Sequence, residues 1–332
     1  MENSKNKGIS VIIPNFNGTL LLPLILPPLF EALNNIQLSY EVIISDDCST
    51  DNSLGFLKKK YPEIILIENS SNKGFSPTIN KGIFTAKYDY ILLLNSDVKL
   101  ASNYFENLLP YFEDTDTFGV MGRIIGWDDD AIQDGGKYPS FHGVKIKTSG
   151  NYVPLESKPG NRLYSMYLSG ANAFISREKI NMLGGFDELF APFYVEDFEL
   201  SLRAWRMGWK CYYEHNTICR HQTSTTIKNN NRKNFVKAIY YRNKMFLHAI
   251  HLEGFKLFLW YVQLIPEIIL HIITGRFWFF KSLQMFFSSR KKIQKSRSNF
   301  TALTGNKNEL LSMKEVVNKI TTSLQSVKTA EI

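Results

Sequence analysis

Four short apolar runs within the first hundred residues constrain what this chain can fold into more than any other feature. They lie at residues 9–13 (Ile-Ser-Val-Ile-Ile), 41–45 (Glu-Val-Ile-Ile-Ser), 63–67 (Glu-Ile-Ile-Leu-Ile) and 90–94 (Tyr-Ile-Leu-Leu-Leu). Short continuous apolar runs rich in β-branched residues read as strands buried on both faces. Helical patterns fill the gaps between them. Residues 20–33 are apolar, and Pro23, Pro27 and Pro28 place the clean start of that helix near Pro28. The Ser/Thr/Asp cluster at 46–53 predicts a capped helix running to Lys60, with Asp51 as a capping acid. Ser76 before Pro77 predicts an N-cap and first helical position, with Phe75, Ile79, Ile83 and Ala86 on one buried face. A β-α-β-α-β-α-β order at this density predicts a parallel sheet flanked by helices.

In open α/β sheets, ligands bind just beyond the carboxyl ends of the strands. Three of the four runs end in polar sets: Asn15 and Asn17, Asp46 and Asp47, then Asn95, Ser96 and Asp97. Parallel strands bring these ends to one edge, where carboxylates and amides can meet a base, a ribose and a metal-bound diphosphate. Asp97 is the candidate for a divalent cation. The same polar residues also suit plain loop starts and helix caps.

A second cluster lies later in the chain. Gly184-Gly-Phe-Asp-Glu188 is followed by Glu196 and Asp197 at the start of a helical pattern reaching Met207. Phe198, Leu202 and Trp205 share one face of that helix, and Glu199 with Arg203 form an i,i+4 ion pair on another. The helix dipole favours anions at its first turn, which helps keep Asp197 ionised and able to accept a proton. The bland alternative is that both acids only stabilise the helix start. His221 follows another strand; a neutral imidazole there suits a cation or a phosphate, and equally a structural hydrogen bond. Between these regions a helix over 101–112 and a strand over 118–125 are predicted, with surface loops such as 127–136.

Composition narrows the class. A 332-residue chain with 44% hydrophobic and 21% charged residues is globular and large enough for one big domain plus an appendage. Cys48, Cys211 and Cys219 have no C-x-x-C spacing, which argues against a disulfide framework or a zinc site. The first seven residues are polar and hold no apolar leader, so no secretory signal is expected. Charge is unevenly placed. Residues 228–297 hold 14 Lys/Arg against 2 Asp/Glu, whereas residues 1–227 carry a net −5. Such asymmetry points to different partners for the two parts.

Taken together, these motifs resemble the family-2 glycosyltransferases, inverting enzymes with the GT-A fold. The matching pieces, in order, are Val11-Ile-Ile-Pro-Asn-Phe-Asn17, Ile44-Ser-Asp-Asp-Cys-Ser-Thr-Asp51, Asn72-x-Gly74-Phe with Asn80-x-Gly82, Asn95-Ser-Asp97, Ser169-Gly-Ala-Asn172, Gly184-Gly-Phe-Asp-Glu188, Glu196-Asp197 and His221. The resemblance spans about residues 9–225. It implies a Rossmann-like, mostly parallel sheet. It implies that Pro14, Asn15, Asn17, Asp46, Asp47, Asn72, Gly74, Asn80, Asn95 and Ser96 face a nucleotide sugar, with Asp47 on the base. It implies Asp97 as the ligand of Mg²⁺ or Mn²⁺, with His221 near the metal and diphosphate, and Asp197 as general base beside Glu196. Asn95 departs from the pattern, since many members have Asp there; one fewer charge holds a cation more weakly.

The basic block follows. Residues 231–250 read as a helix containing Arg242-Asn243, similar to a segment of bacterial rhamnosyltransferase-like members. Residues 255–273 are apolar, but Lys256, Gln263, Pro266, Glu267 and His271 interrupt them. A bilayer span needs roughly 20 mostly apolar residues. Aromatics beside a basic cluster suit helices lying in a membrane interface instead, and a buried helical hairpin is the other reading. The expected organisation is therefore a catalytic domain over 1–227, a basic helical extension over 228–297 that associates with membrane, and a weakly ordered tail over 298–332 in which only 310–320 has a helical pattern. The expected activity is a non-processive glycosyltransferase, peripheral at the cytoplasmic face of the plasma membrane, using a nucleotide-sugar donor and a glycan or lipid-linked acceptor, with no nucleic-acid partner. A catalytically silent membrane-docked scaffold of the same fold is the rival. Nucleotidyl transfer would require a Gly-rich phosphate-binding signature near the first strand, which is missing.

Overall fold

The computed structural model describes residues 6–157, 161–222, 233–303 and 310–332. The start of the basic block at 228–232, with the expected helix start at Asn231, and residues 1–5 lie outside them. The centre is a ten-stranded sheet in the order β10-β12-β6-β11-β4-β1-β2-β3, with β5 paired to β12 and β7 to β6. The four apolar runs become β1 (Gly8–Asn15), β2 (Ser39–Asp46), β3 (Ile65–Glu68) and β4 (Tyr90–Leu94). All their pairings are parallel: β1 with β2, β1 with β4, and β2 with β3. The chain steps outward from β1 to β3 and then returns to place β4 on the other side of β1. Strand order thus reverses at β1, and a crevice opens there.

Both faces of β1, β2 and β4 are covered, which is why these strands are mostly apolar rather than alternating; β3, expected to be buried as well, lies at the sheet edge with Ile65 exposed. Ile12, Ile43, Ile91 and Leu93 enter one core with Ile79 and Ile83 of α3 (Phe75–Thr85). Val11, Ile13, Ile44 and Leu92 enter the other with Leu22, Ile25 and Leu29 of α1 (Leu22–Asn34). α1 begins six residues before the expected start near Pro28. Pro23 sits in the first turn, where a backbone N–H has no helical partner to lose. Pro27 and Pro28 do interrupt the ladder, and the fully buried Leu22, Ile25, Leu26 and Leu29 hold the segment helical through packing. α3 is capped by Gly74 rather than Ser76. α2 (Ser53–Lys60) starts beside Asp51, whose Oδ1 accepts from the Ser53 N–H at 3.0 Å. The helix expected over 101–112 is instead a series of turns ending in a 3₁₀ turn, Leu109–Glu113, with Tyr104 and Phe105 buried.

The second half completes the sheet with β5 (Val98–Leu100), β6 (Thr117–Gly126), β7 (Ile132–Asp134), β10 (Leu163–Tyr164), β11 (Asn172–Ser176) and β12 (Lys210–His221). β11 runs antiparallel between β4 and β6. A smaller sheet joins β8 (Gly136–His142), β9 (Lys145–Pro154) and β13 (Thr329–Glu331). The stretch 127–136, expected as loop, therefore holds one short strand and the start of another. α4 (Arg177–Met182) and α5 (Glu196–Arg206) flank the sheet. Glu199 and Arg203 of α5 do form the expected ion pair, at 2.9 Å, but it is buried.

The basic block forms α6 (Lys233–His251), α7 (Gly254–Ile273), α8 (Trp278–Ser288) and α9 (Arg290–Ala302). It shares a core with the sheet: Phe246, Trp260 and Phe286 are fully buried in the cluster that also holds Ile12 and Trp205. The tail expected to be weakly ordered beyond 298 instead supplies the end of α9, then α10 (Met313–Leu324) and β13. Its physical basis is a capping box, Ser312 with Glu315, followed by Met313, Val316, Val317, Ile320 and Leu324 on one buried face. This helix falls on the one stretch of the tail, 310–320, that has a helical pattern in the sequence.

One side chain ties the helical block to the sheet's ligand edge. Tyr194 and Val195 both hold left-handed backbone, at φ 75° and 72°. That region is strained for a β-branched residue such as Val195. Asn243 of α6, fully buried, donates through Nδ2 to the carbonyls of Phe190, Phe193 and Tyr194 at 2.7, 3.0 and 2.8 Å. Arg242 donates to the Ala191 carbonyl beside them. Asn243→Ala should therefore lower stability by about 1–3 kcal/mol, the cost of stranding buried carbonyls. A lower urea midpoint with unchanged slope is the expected result, and an unchanged midpoint would show the loop to be held by other contacts.

Candidate active site

A cleft of about 720 Å³ opens at the carboxyl ends of β1, β2 and β4. On one side it is lined by Pro14, Asn15 and Asn17 from the end of β1, Asp47 after β2, and Asn72 and Gly74 before α3. Asn95, Ser96 and Asp97 come from the end of β4, and His221 from the end of β12. Glu196 and Asp197 face it from the first turn of α5. Thus twelve of the fourteen residues singled out from the sequence meet around one cavity.

The other two lie behind its wall. Asp46 is buried and accepts from Asn15 Nδ2 at 2.7 Å and from Ser49 N at 2.8 Å, so it fixes the turn after β2. Asn80 exchanges hydrogen bonds with the backbone of Phe186, donating to its carbonyl at 2.9 Å and accepting from its N–H at 2.8 Å. It anchors the Gly184–Glu188 segment to α3. Both residues position others rather than reach the cleft.

Asp47 stands on the β2 side of the cleft. Its Oδ1 accepts from Asn69 Nδ2 at 2.9 Å and from the Lys73 N–H at 2.7 Å; its Oδ2 accepts from the Gly74 N–H at 2.8 Å. Three of a carboxylate's roughly four acceptor positions are thus used to shape the loop that carries Asn72 and Gly74. Gly74 is required by its backbone: φ is +86°, and a Cβ there would meet Pro192 Cα at 2.6 Å. The Phe75 N–H donates to the Pro192 carbonyl at 2.9 Å, joining this loop to the strained segment before α5. Pro192, Phe193 and Tyr194 of that segment also line the cleft.

At the other end, Asp97 and His221 face each other, with Nε2 3.5 Å from Oδ2. His221 Nδ1 lies 3.1 Å from Gln133 Oε1. An N–H at Nδ1 donating to that oxygen leaves the Nε2 lone pair aimed at Asp97. Asp97 Oδ1 is buried without a hydrogen-bond partner. A carboxylate oxygen left unpaired beside a free imidazole lone pair is the donor set a divalent cation takes, and it suits Mg²⁺ or Mn²⁺. No cluster of three or more His, Cys, Asp or Glu side chains occurs among the described residues, so Asp97 and His221 are a candidate pair and not a complete metal cage.

Asp197 and Glu196 form the third part. The Phe198 N–H donates to Asp197 Oδ1 at 2.7 Å. Burial pushes the Asp197 carboxyl above the ordinary range, while backbone N–H groups of Phe198 and Gly170 and the ammonium of Lys137 pull it back. Its side chain keeps a partial opening, and that opening is onto the cleft. Burial, reinforced by the charge of Asp197, pushes Glu196 up to about 8, and Glu196 Oε2 has no partner. Burial thus favours the uncharged form of Glu196.

Sequence reasoning missed two supporting residues, Gln133 and Lys137. Burial lowers the Lys137 ammonium to about 7, with Asp197 opposing the shift. Lys137 pairs with Asp134 and donates to Asn151 Oδ1 at 3.0 Å, and it lies over the Tyr167 ring at 5.2 Å. Tyr167 in turn stacks on Phe198, the residue after Asp197. β7 thus carries Gln133 toward His221 and Asp134 toward Lys137. Three residues are too few to show a strand pattern in a stretch rich in Asp and Gly, and this is why the sequence reads as loop there.

Known proteins share the family and the fold of this chain. The model for the family described as Glycosyl transferase family 2 matches residues 10–179, just over half of the chain. Chondroitin synthase of Pasteurella multocida is 28% identical over 236 residues, covering 63% of this chain but only 24% of that protein. An N-acetylglucosaminyl-diphospho-decaprenol L-rhamnosyltransferase of Mycobacterium tuberculosis is 24% identical over 219 residues, 56% of this chain and 69% of that protein. Among solved structures, GalNAc-T7 with UDP, GalNAc and Mn²⁺ superposes with a TM-score of 0.64 at 17% identity, covering 98% of this chain and 58% of that one. A mannosyltransferase from Pyrobaculum calidifontis with GDP-Man and Mn²⁺ gives 0.53 at 14% identity, covering 97% and 86%. The shared architecture is the GT-A fold. With the family's match running from β1 into α4 and these motifs arranged around one cleft, the chain belongs to glycosyl transferase family 2.

Proposed function

We propose that this chain is an inverting, non-processive glycosyltransferase. It moves one sugar from a nucleotide-diphosphate donor to a hydroxyl of a cell-surface glycan acceptor, probed most simply as a lipid-linked one at the cytoplasmic face of the plasma membrane. The observation that carries this reading is that Asp97 and Asp197, far apart in sequence, open into one cleft. Family membership supports a sugar-nucleotide donor. The name of the mycobacterial relative includes a diphospho-decaprenol carrier, which supports a lipid-linked acceptor. The chain has no Gln-x-x-Arg-Trp motif of the kind carried by processive family members, which supports single transfers. In this reading residues 1–227 are the catalytic unit and the basic block 228–297 associates with the membrane.

The roles follow from the chemistry at each end of the cleft. Pro14, Asn15, Asn17, Asp47, Asn72 and Gly74 surround the nucleoside. Asn95 and Ser96 border the diphosphate, and Asp97 and His221 hold the cation. Mg²⁺ or Mn²⁺ bound there supplies positive charge opposite the departing diphosphate. Asp197 takes the proton of the acceptor hydroxyl as its oxygen forms a bond to the sugar's C1. The bond from C1 to the diphosphate oxygen breaks on the opposite face, the nucleoside diphosphate leaves with that electron pair, and the anomeric centre inverts.

General-base assistance is typically worth about 10²–10⁴-fold. Asp197→Asn should slow transfer by that order while the donor still binds within a few-fold, as read by calorimetry with UDP- and dTDP-sugars and Mn²⁺. Near-normal turnover in this variant would remove Asp197 from the role.

The pH profile carries a second expectation. Asp197 must be ionised to accept a proton, and its carboxyl is raised, so kcat/KM should fall on the acid side as it protonates. Glu196 is pushed up to about 8 by burial and by the charge of Asp197, which favours its uncharged form. Glu196→Gln should therefore leave the acid limb where it is. Lys137 is charged below about 7 and favours ionised Asp197, so Lys137→Met should move the acid limb to higher pH. A limb that stays in place in the Lys137 variant would show that this ammonium does not act on the base.

A further inference from the structure

The outer face of α7 has no protein against it. Phe255, Phe258, Val262, Ile265, Ile269 and Ile272 recur at intervals of three and four residues, and each is exposed, from 44% to 72%. The stripe continues past the end of α7 into Ile273, 77% exposed, and Phe277 before α8, 68% exposed. A contiguous apolar face of this size on a soluble surface marks an interaction site.

The opposite face of the same helix is fully engaged. Trp260, Leu264 and His271 are buried. His271 stacks on Phe279 of α8, with ring centroids 4.1 Å apart. Gln263 donates to the His142 carbonyl at 2.8 Å, and Glu267 pairs with Lys145 of β9. Alone among the described helices, α7 is long and apolar enough to cross a bilayer. Crossing would tear Trp260, Gln263 and Glu267 from these partners and carry the carboxylate into hydrocarbon. A helix bound to its own protein along one side and bare along the other lies on a membrane rather than through it.

Charge identifies the partner. Between residues 254 and 297 the chain has a single acid, Glu267, and Lys145 takes it up. Lys256 of α7, Arg276 between α7 and α8, Lys281 of α8 and Arg290, Lys291 and Lys292 at the start of α9 are all exposed. An apolar stripe accompanied by exposed cations complements an anionic lipid surface and would repel a second copy of itself. We propose that the α7–α8 face is a monotopic docking surface for an anionic bilayer, with the stripe from Phe255 to Ile272 lying in the headgroup region and Ile273 and Phe277 at its leading end. This deepens the proposed function by specifying how the chain meets the membrane that carries its acceptor. The same helix α6 that holds the cleft segment through Asn243 packs through Tyr241 on Trp278, the first residue of α8, at 4.9 Å.

Flotation of the full chain with vesicles tests it. The protein should float with phosphatidylcholine vesicles containing about a third phosphatidylglycerol, less with phosphatidylcholine alone, and less again in high salt. Ile265→Gln with Ile269→Gln, both on the exposed stripe, should weaken partitioning about tenfold or more. Lys281→Gln, Lys291→Gln and Lys292→Gln together should abolish the preference for anionic vesicles. Failure of the native chain to float with either vesicle would overturn the proposal. So would a native dimer in vesicle-free solution that the double Ile variant converts to a monomer, because a second copy would then be the occupant. Hydrolysis of sugar nucleotides by the same variants, measured without vesicles, keeps the outcome separate from the activity: a variant that no longer floats but still hydrolyses donor leaves the catalytic reading intact.

Discussion

The reversal of strand order at β1 is the constraint on which the rest of this protein depends. Because β2 and β4 lie on opposite sides of β1 and run parallel to it, three polar strand ends must emerge side by side. No helix can cover the point where crossovers diverge to the two flanks, so a cleft forms there whatever residues fill it. The residues that do fill it are the ones that break the apolar runs. β1 ends at Asn15, β2 at Asp46 and β4 just before Asn95. The fold makes the opening, and the sequence places polar groups in it by ending each strand on them.

The second acid needs a different device. Asp197 is carried by α5, which enters the cleft from a segment with two consecutive left-handed residues, Tyr194 and Val195. Such a turn stores strain and needs outside support. Asn243 and Arg242 supply it from α6 by satisfying four carbonyls of the segment, while the Phe75 N–H holds Pro192 from the other side. The helical block is therefore part of the structure that aims Asp197, quite apart from any partner it meets. Burial and the charge of Asp197 both favour the uncharged form of the neighbouring Glu196, which leaves Asp197 the more readily ionised of the two.

Legibility in the sequence followed the range of the interactions. The strands, the polar ends and the α5 acids were readable because each is set by local pattern: a run of apolar residues, an abrupt change to Asp or Asn, a helical period. Asp46 and Asn80 were read as cleft residues because local pattern cannot tell a carboxylate that faces a ligand from one that faces Ser49, or an amide from one that pins Phe186 more than a hundred residues away. Gln133 and Lys137 escaped notice for the same reason. Their importance arises from contacts with His221, Asp134 and Tyr167, and only the first of these stood out in the sequence. The ends of α1 and the tail beyond 298 failed differently. There, burial of Leu22, Ile25 and Leu29, or of Val316 and Ile320, outweighed proline content and polar composition that locally argue for loop.

The helical block also shows why one apolar stretch was ambiguous between a membrane interface and a buried hairpin. Each reading describes one face of α7. Leu257, Trp260, Leu264, Ile268 and His271 turn toward the protein, whereas Phe258, Val262, Ile265, Ile269 and Ile272 turn away from it. Three of the polar residues that interrupt the run, Gln263, Glu267 and His271, belong to the inner face, where Gln263 meets His142 and Glu267 meets Lys145, whereas Lys256 is exposed in the first turn. Removing those three from the outer face is what leaves that face apolar beyond the first turn. Two of the interruptions that argue against a transmembrane span in the sequence, Gln263 and Glu267, are in three dimensions the contacts that fasten the helix to the small sheet and leave its other side free.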